Sequence, residues 1–357
     1  MILIDLLPYI LLLFLTLFIP KVSKKYMFLL FVIFLIFSGC RYGVGWDYFN
    51  YVTAMEEGGW RISRIEYLVR QLELFCYHYQ IPQVFFFVTS FILLSCYFFV
   101  ISKESYNPAI SVFVFLCLPV FFLSSLSIIR FSLSVSIWFL AYYYLEKGEK
   151  WVYFALIFAS FFVHRAAIFG LLTVPFVFGN LKFTKRTNII IFIVCFVVGK
   201  VLGAFSIISA VLSPFLVFFQ EEEVSITNYI VDSGGEGFSR TPYLYAVINL
   251  IVLLSSKELI NSSKNEKMAS HITLFNLGCS VMFLFSFSQT FASRLSQFFM
   301  LYLLFIVPYF KKNSIQKYML VAILLFVFVF QLTNRGYHTD FMGRVNCFLP
   351  YRFFFTN

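Results

Sequence analysis

The run QVFFFVTSFILLSCYFFVI, residues 83–101, carries no charged side chain. A helix of this length rises about 28 Å, which is close to the roughly 30 Å of hydrocarbon in a bilayer. The rest of the chain has the same character: 61% of its 357 residues are hydrophobic, 52 are phenylalanine and only 12% are charged. This composition excludes a soluble globular domain and indicates a membrane protein built of apolar helices.

Similar apolar runs recur along the chain and are separated by short polar breaks. They predict an all-α fold, a polytopic integral membrane helix bundle of about twelve transmembrane helices with short extracytoplasmic loops. We expect residues 1–357 to form a single transmembrane domain. The predicted spans are 2–19, 26–40, 83–101, 109–126, 128–145, 151–163, 166–179, 188–207, 242–256, 269–287, 295–310 and 318–334. The shorter run 208–219 is expected to lie in the interface or to re-enter the membrane.

The basic residues predict the orientation of these spans. Fourteen of the fifteen lysines fall in breaks on one face, which is cytoplasmic by the positive-inside rule. Eleven of the twelve arginines fall on the opposite face or at its boundary. The extracytoplasmic segments are then near 41–82, 220–241 and 335–357. This orientation depends on a helical hairpin at 151–179 with His164 and Arg165 at its outer tip. A single helix there would reverse the orientation of every later span.

Three outer arginines, Arg41, Arg130 and Arg294, each lie within about a turn of a span end, where a lipid-linked phosphate would arrive. The planar guanidinium grips phosphate in two places and stays charged. Small hydroxyl residues surround Arg130 in SSLSIIRFSLSVSIW and Arg294 in SQTFASRLSQFF. The two helix mouths can form one anion pocket, although the sequence does not fix their adjacency. The alternative is that each arginine pairs with an outer carboxylate or meets headgroups.

His164 and Asp47 are the candidate proton acceptors. Imidazole takes up a proton near neutral pH, so a basic role predicts an activity that falls between about pH 8 and pH 5. Asp47 follows the turn in RYGVGWDYFNY, residues 41–51, between Trp46 and Tyr48, which suit a sugar groove or an interfacial belt. The alternative for His164 and Arg165 is a hairpin tip that merely contacts headgroups.

Glu66 lies in RISRIEYLVRQLELF, which predicts an interfacial amphipathic helix with an apolar face of Ile62, Ile65, Leu68, Val69 and Leu72. Glu66 is either a functional carboxylate or the partner of Arg70 one turn later, a pair worth only a few tenths of a kcal/mol.

The remaining features give no support for metal or nucleotide chemistry. The four histidines show no metal-ligand spacing, and the glycine clusters follow no strand, so we expect neither a metal nor a cofactor. The net charge of +10 is spread singly between spans, which is typical of membrane topology rather than nucleic-acid binding. A bridge between Cys76 and Cys347 stays open, because sequence alone does not fix pairing.

Short motifs spread over nearly the whole chain give a family resemblance. They are RYGVGWDYFNY (41–51), IEYL (65–68), IRFSLSVSI (129–137), HRAA (164–167), SRLSQFF (293–299) and LPYRF (349–353). In this order the chain resembles the EpsG-like family of polysaccharide polymerases, which is related in role to the Wzy polymerases of O-antigen and capsule. It departs from the family pattern at Ala166, where a serine is expected, and at Phe131, where a glutamine is common.

The resemblance implies a metal-independent glycosyltransferase in the cytoplasmic membrane, with its active face outside. It would polymerise undecaprenyl-diphosphate-linked repeat units into O-antigen, capsule or exopolysaccharide. Arg130 and Arg294 would bind the diphosphate, with Arg41 as a third candidate. His164 would be the first choice of base, with Asp47 as its rival; Glu66, Arg165 and Tyr351 are further candidates. Its partners would be the lipid-linked glycan, membrane lipids, a chain-length regulator and a flippase, with no nucleic acid.

Three other functions remain open. A lipid-linked oligosaccharide flippase also needs many helices and cations, but it should place charges deep in several spans, and only Lys200 lies deep in one. An O-antigen ligase would share the chemistry and differ in its acceptor, and a membrane acyltransferase is a more distant alternative.

Overall fold

The structure is a computed structural model of the chain. It describes residues 2–17, 23–58, 65–179, 181–202, 241–263, 267–286, 289–333, 343–344 and 346–356. The predicted re-entrant run 208–219 and the loop residues 220–240 therefore lie outside the described residues. Two compact units form: the first is Met1–Ala167 with Leu324–Asn357, and the second is Ile168–Ile323. A single transmembrane domain stays a prediction.

The fold is helical apart from one pair of two-residue strands in the described residues. The helices of the first part of the chain are α1 (Ile2–Leu17), α2 (Lys24–Gly39), α3 (Tyr48–Glu57), α4 (Tyr67–Tyr79), α5 (Pro82–Glu104), α6 (Pro108–Cys117), α7 (Phe122–Ser127), α8 (Ile129–Glu146) and α9 (Lys150–Val163). A 3₁₀ segment (Arg165–Thr173) follows, and then α10 (Val174–Phe178), α11 (Lys185–Leu202), α12 (Thr241–Leu254), α13 (Ser256–Ser263), α14 (Met268–Leu284), α15 (Gln289–Met300), α16 (Leu303–Ile306) and α17 (Ile315–Thr333). The strands are β1 (Arg41–Tyr42) and β2 (Arg352–Phe353).

Several helices begin where the sequence provides a cap. The Ser23 hydroxyl accepts a hydrogen bond from the Tyr26 amide at 3.2 Å and starts α2. The Asn107 side chain does the same for the Ile110 amide at the start of α6. Proline occupies the first turn of α5 and of α6, where its missing N–H costs nothing.

Helical segments form in every predicted span region that the structure describes, but the count of about twelve spans is not confirmed. Three stretches of the described residues are long and apolar enough to cross a membrane: Pro82–Glu104, Ala292–Tyr309 and Ile315–Thr333. A fourth is added if the pair Pro242–Leu254 and Ser256–Ser263, bent by 60°, counts as one span. Five further apolar helices of the described residues have only 10–17 residues. They rise only about 15–26 Å, less than the hydrocarbon thickness.

The predicted span 109–126 is interrupted. Helix α6 ends at Cys117, and α7 begins at Phe122. Pro119 lies in the break, where it has no N–H to continue the helical ladder. The break places the α7–α8 junction beside the turn that follows α2, because the Trp46 amide donates to the Ser127 hydroxyl at 3.2 Å.

The predicted extracytoplasmic segment 41–82 contains two helices, α3 and α4, and only the second was predicted from the sequence. The C-terminal residues return to the start of this segment. Strand β2 pairs antiparallel with β1, so that Arg41 lies opposite Phe353 and Tyr42 opposite Arg352. The predicted extracytoplasmic segments 41–82 and 335–357 are therefore in contact within the first unit.

A polar network joins three helices of the second unit. Asn249 of α12 donates to the Asn276 side chain of α14 at 2.8 Å, and Asn276 donates to the Asn188 backbone carbonyl of α11 at 3.0 Å. All three asparagines are buried. Such amide bonds between apolar helices fix which faces meet.

Candidate functional site

Arg41 is almost fully buried at the end of α2, with 1% of its surface exposed. Its Nε donates to the Val44 carbonyl at 3.1 Å, Nη1 to the Ser38 carbonyl and Nη2 to the Leu126 carbonyl at 3.4 Å. Its guanidinium carbon lies 4.9 Å from the centre of the Phe86 ring. Burial lowers the pKa of Arg41 to about 10, and nearby tyrosines oppose that shift. Through these contacts Arg41 stabilises the turn after α2. Its role as a diphosphate ligand stays a prediction.

Gly45 brings the same turn against the α7–α8 junction. Its φ of +108° favours glycine, and a Cβ there would overlap the Leu126 carbonyl. Its amide donates to the Cys347 carbonyl at 2.8 Å, while the next residue, Trp46, donates to Ser127. The glycine of the GVG turn is therefore required so that Asp47, the N-cap residue of α3, starts its helix beside α8.

Arg130 and Glu66 form an ion pair across 64 residues of sequence. Arg130 is in the first turn of α8, and its Nη1 lies 2.9 Å from Glu66 Oε2. The other carboxylate oxygen accepts the backbone N–H of Arg165 at 3.1 Å. The Arg130 side chain is 19% exposed and that of Glu66 is 4% exposed. Glu66 therefore joins α4, α8 and the 3₁₀ segment, and the Glu66–Arg70 pair considered from the sequence is not formed among the described residues.

Tyr51 also contacts Arg130 and was not selected from the sequence. Its hydroxyl accepts a hydrogen bond from Arg130 Nε at 3.4 Å, and its ring lies 5.0 Å from that of Phe85. Burial raises the pKa of Tyr51 well above its usual value; Arg130 opposes this rise, and the carboxylates of Asp47 and Glu73 add to it. The phenol is therefore neutral at physiological pH and lies close to two carboxylates and one arginine.

Helix α4 turns its charged residues toward the protein. Glu66, Arg70 and Glu73 follow the i, i+4, i+7 spacing of one helix face, and Glu73 is completely buried. Its exposed large hydrophobic residues are Tyr67, Leu68, Leu74, Phe75, Tyr77 and Tyr79. The predicted helix exists, but Leu68 of its predicted apolar face is exposed whereas Val69 is buried. Charged residues inside and aromatic residues outside are typical of a helix next to lipid. The same spacing in the sequence signals Glu73, which was also missed.

His164 links α9 to the 3₁₀ segment and is 3% exposed. Its Nδ1 accepts the Ala166 amide at 3.1 Å, and the Phe131 ring packs edge-on against it at 5.4 Å. Because Nδ1 is an acceptor, the neutral imidazole carries its proton on Nε2 and can donate there. This geometry favours a hydrogen-bond donor over the predicted base, and the base stays a prediction. Both residues that depart from the family pattern contact His164.

The other candidates in the first unit have different environments. Arg165 is exposed, beside the buried Glu66. Tyr351 stacks on Phe37 with ring centres 4.1 Å apart and donates its hydroxyl to the Phe37 carbonyl. Tyr9 donates to the Phe348 carbonyl at 3.0 Å. The LPYRF motif thus fastens the C-terminal segment to α1 and α2.

Arg294 lies in α15 of the second unit. Near it, the Ser296 hydroxyl donates to the Ser293 carbonyl at 3.0 Å, within the same helix. The structure therefore brings Asp47, Glu66, Arg130 and His164 into one unit, and the adjacency of Arg294 to Arg130 stays a prediction.

In the described part of the chain, no group of three or more His, Cys, Asp and Glu side chains has the geometry to hold a metal ion. None of the seven cysteines, which all lie in the described residues, forms a disulfide, so the bridge between Cys76 and Cys347 is not formed.

Comparison with known proteins gives one match. The model of the EpsG family matches residues 6–353, from α1 to β2. No curated protein and no solved structure matches the chain significantly. A match over nearly the whole length establishes the family and, with it, a polysaccharide-polymerase-like role in a membrane protein. The chain belongs to the EpsG family.

Proposed function

We propose that the protein is a membrane glycosyltransferase that joins undecaprenyl-diphosphate-linked oligosaccharide repeat units into O-antigen, capsule or exopolysaccharide at the outer face of the cytoplasmic membrane. The observation that carries the proposal is the cluster of Arg130, Glu66 and Tyr51, a partly exposed cation held by a buried carboxylate and a phenol. In a family of this role, such a cation is suited to the diphosphate of a lipid carrier.

The reaction needs a proton acceptor and a cation. The acceptor sugar hydroxyl forms a bond to the anomeric carbon of the donor, and the bond from that carbon to the diphosphate oxygen breaks. The hydroxyl proton passes to the base, and the electron pair leaves with the diphosphate. A base contributes about 10² to 10⁴ in rate, and a fixed donor aimed at the developing charge contributes about 10² to 10³.

We assign the diphosphate to Arg130, and we keep Arg294 as the further phosphate ligand that the sequence predicts. Asp47 is the proposed base, since it lies beside Tyr51, whose amide donates to the Asp47 carbonyl at 3.1 Å, while His164 donates from Nε2. Glu66 orients Arg130, and the exposed Arg165 would meet incoming phosphate. Arg41 and Tyr351 hold the surrounding turn and C-terminal segment.

A lipid-linked oligosaccharide flippase is the second candidate. The buried amides of Asn188, Asn249 and Asn276 favour it, because polar groups inside apolar helices often mark transport paths. An O-antigen ligase would use the same donor chemistry with a different acceptor.

The test is a gel of full-length protein in proteoliposomes incubated with an undecaprenyl-diphosphate-linked repeat unit. Wild type should give a ladder of lengthening products, and Arg130→Ala should lose it. Arg186→Ala is the matched control, because Arg186 is exposed at the start of α11 in the second unit. Movement of the lipid-linked sugar across the bilayer without any ladder would replace the polymerase by the flippase.

A further inference from the structure

The Tyr51 hydroxyl has one hydrogen-bond partner among the described residues, and it uses the hydroxyl as an acceptor. Arg130 Nε donates to the phenol oxygen at 3.4 Å. The O–H hydrogen of Tyr51 has no acceptor in the described part of the chain. A phenol that accepts from an arginine points its own hydrogen away from that cation. A second donor is therefore available beside the guanidinium.

The surroundings of Tyr51 keep this donor neutral and fixed. The residue is 8% exposed, and its ring packs on Phe85. The raised pKa of the phenol means that it keeps its hydrogen at any physiological pH. Asp47 and Glu73, which lie nearby, disfavour a negative charge on Tyr51 itself. The Tyr51 hydroxyl can therefore donate a hydrogen bond as a neutral group, without forming a phenolate.

We propose that Tyr51 is a substrate-binding residue whose hydroxyl donates to a phosphoryl oxygen of the diphosphate that Arg130 also contacts. The inference rests on the proposed function for the identity of the lipid carrier. A neutral donor next to a cation stabilises the charge that collects on the leaving diphosphate.

The first experiment separates binding from turnover. Full-length wild type, Tyr51→Phe and Tyr97→Phe are placed in nanodiscs, and the binding of farnesyl diphosphate is measured by calorimetry. Tyr97 is the matched control: it lies in α5 of the same unit, is 2% exposed and its ring centre lies 4.5 Å from that of Phe115. Tyr51→Phe should weaken diphosphate binding by roughly 10- to 150-fold, since a hydrogen bond to a charged group is worth about 1.5–3 kcal/mol. Tyr97→Phe should stay within about twofold of wild type.

The second readout is polymerisation of the lipid-linked repeat unit by the same variants. Tyr51→Phe should lower kcat/KM by roughly 10- to 100-fold. Unchanged diphosphate binding in a folded Tyr51→Phe overturns the inference, and a normal ladder in that variant then leaves the polymerase intact. If wild type makes no ladder while Tyr51→Phe still weakens diphosphate binding, the binding site stands and the polymerase fails.

A third variant tests the inference if the Tyr51→Phe protein does not fold. Incorporation of 3-fluorotyrosine at position 51 keeps the hydroxyl and the ring and makes the phenol a stronger donor. Diphosphate binding should tighten in this protein relative to wild type. Binding equal to that of wild type would contradict the assignment of Tyr51.

Discussion

Substitution of Glu66 tests whether the ion pair with Arg130 holds the site together. Removing one partner of a fully buried pair costs about 3–5 kcal/mol, whereas an exposed pair is worth about 0.2–1 kcal/mol. Glu66 is 4% exposed and Arg130 is 19% exposed, so the pair is closer to the buried case. Glu66→Ala also removes the acceptor of the Arg165 amide. We expect Glu66→Ala to lower the free energy of unfolding by about 2–3 kcal/mol.

The measurement is a titration with SDS of the protein in mixed micelles, followed by circular dichroism. Glu57→Ala, at an exposed position of α3, is the control and should change stability by less than about 0.5 kcal/mol. The double variant Glu66→Ala/Arg130→Ala leaves no buried charge without its partner, so its loss should be smaller than the sum of the single losses by about 1–3 kcal/mol. Strict additivity of the two losses would refute the coupling.

Three further predictions concern the turn after α2 and His164. Gly45→Ala should lower the free energy of unfolding by more than about 2 kcal/mol in the same titration, because its Cβ would overlap the Leu126 carbonyl. The control Gly148→Ala has a φ of +82° and open space around it, so it should cost only about 1 kcal/mol. Equal losses in the two variants would contradict the contact of Gly45 with the Leu126 carbonyl. Arg41→Lys should lower the free energy of unfolding by about 1–3 kcal/mol, because one ammonium group cannot reach the three carbonyls that the guanidinium contacts. If the Arg41→Lys protein is stable but no longer binds diphosphate, Arg41 is a substrate ligand instead. His164→Gln, whose amide donates but is not a base, should retain at least roughly tenfold more polymerisation than His164→Ala, and equal inactivity would support the base.

The apolar pattern of the sequence was sufficient for the positions of most helices. The run 83–101 lies within Pro82–Glu104, and the run 318–334 corresponds closely to Ile315–Thr333. A long uncharged run that is buried in a membrane has few alternatives to a helical conformation, because its backbone groups must form their hydrogen bonds with one another. The break at Pro119 was missed because the residues on both sides of it are apolar, so hydropathy does not change there.

The site was harder to predict, since it depends on which helices touch. Arg130 and Glu66 were both selected from the sequence, but nothing in their local patterns joins residues 64 positions apart. Glu66 has Arg70 one turn away, and that local pair was the simpler alternative. Tyr51 was missed because a single tyrosine among 22 in the chain resembles an interfacial aromatic. Only the contact with Arg130 Nε distinguishes it.

The central claim is that the protein transfers a glycan from a diphosphate carrier to an acceptor sugar. The most direct measurement is the amount of undecaprenyl diphosphate released for each repeat unit joined, followed by mass spectrometry in proteoliposomes. The account predicts one carrier released per glycosidic bond formed, with both products lost together in Arg130→Ala. Release of carrier without chain growth, or chain growth without release, would contradict it.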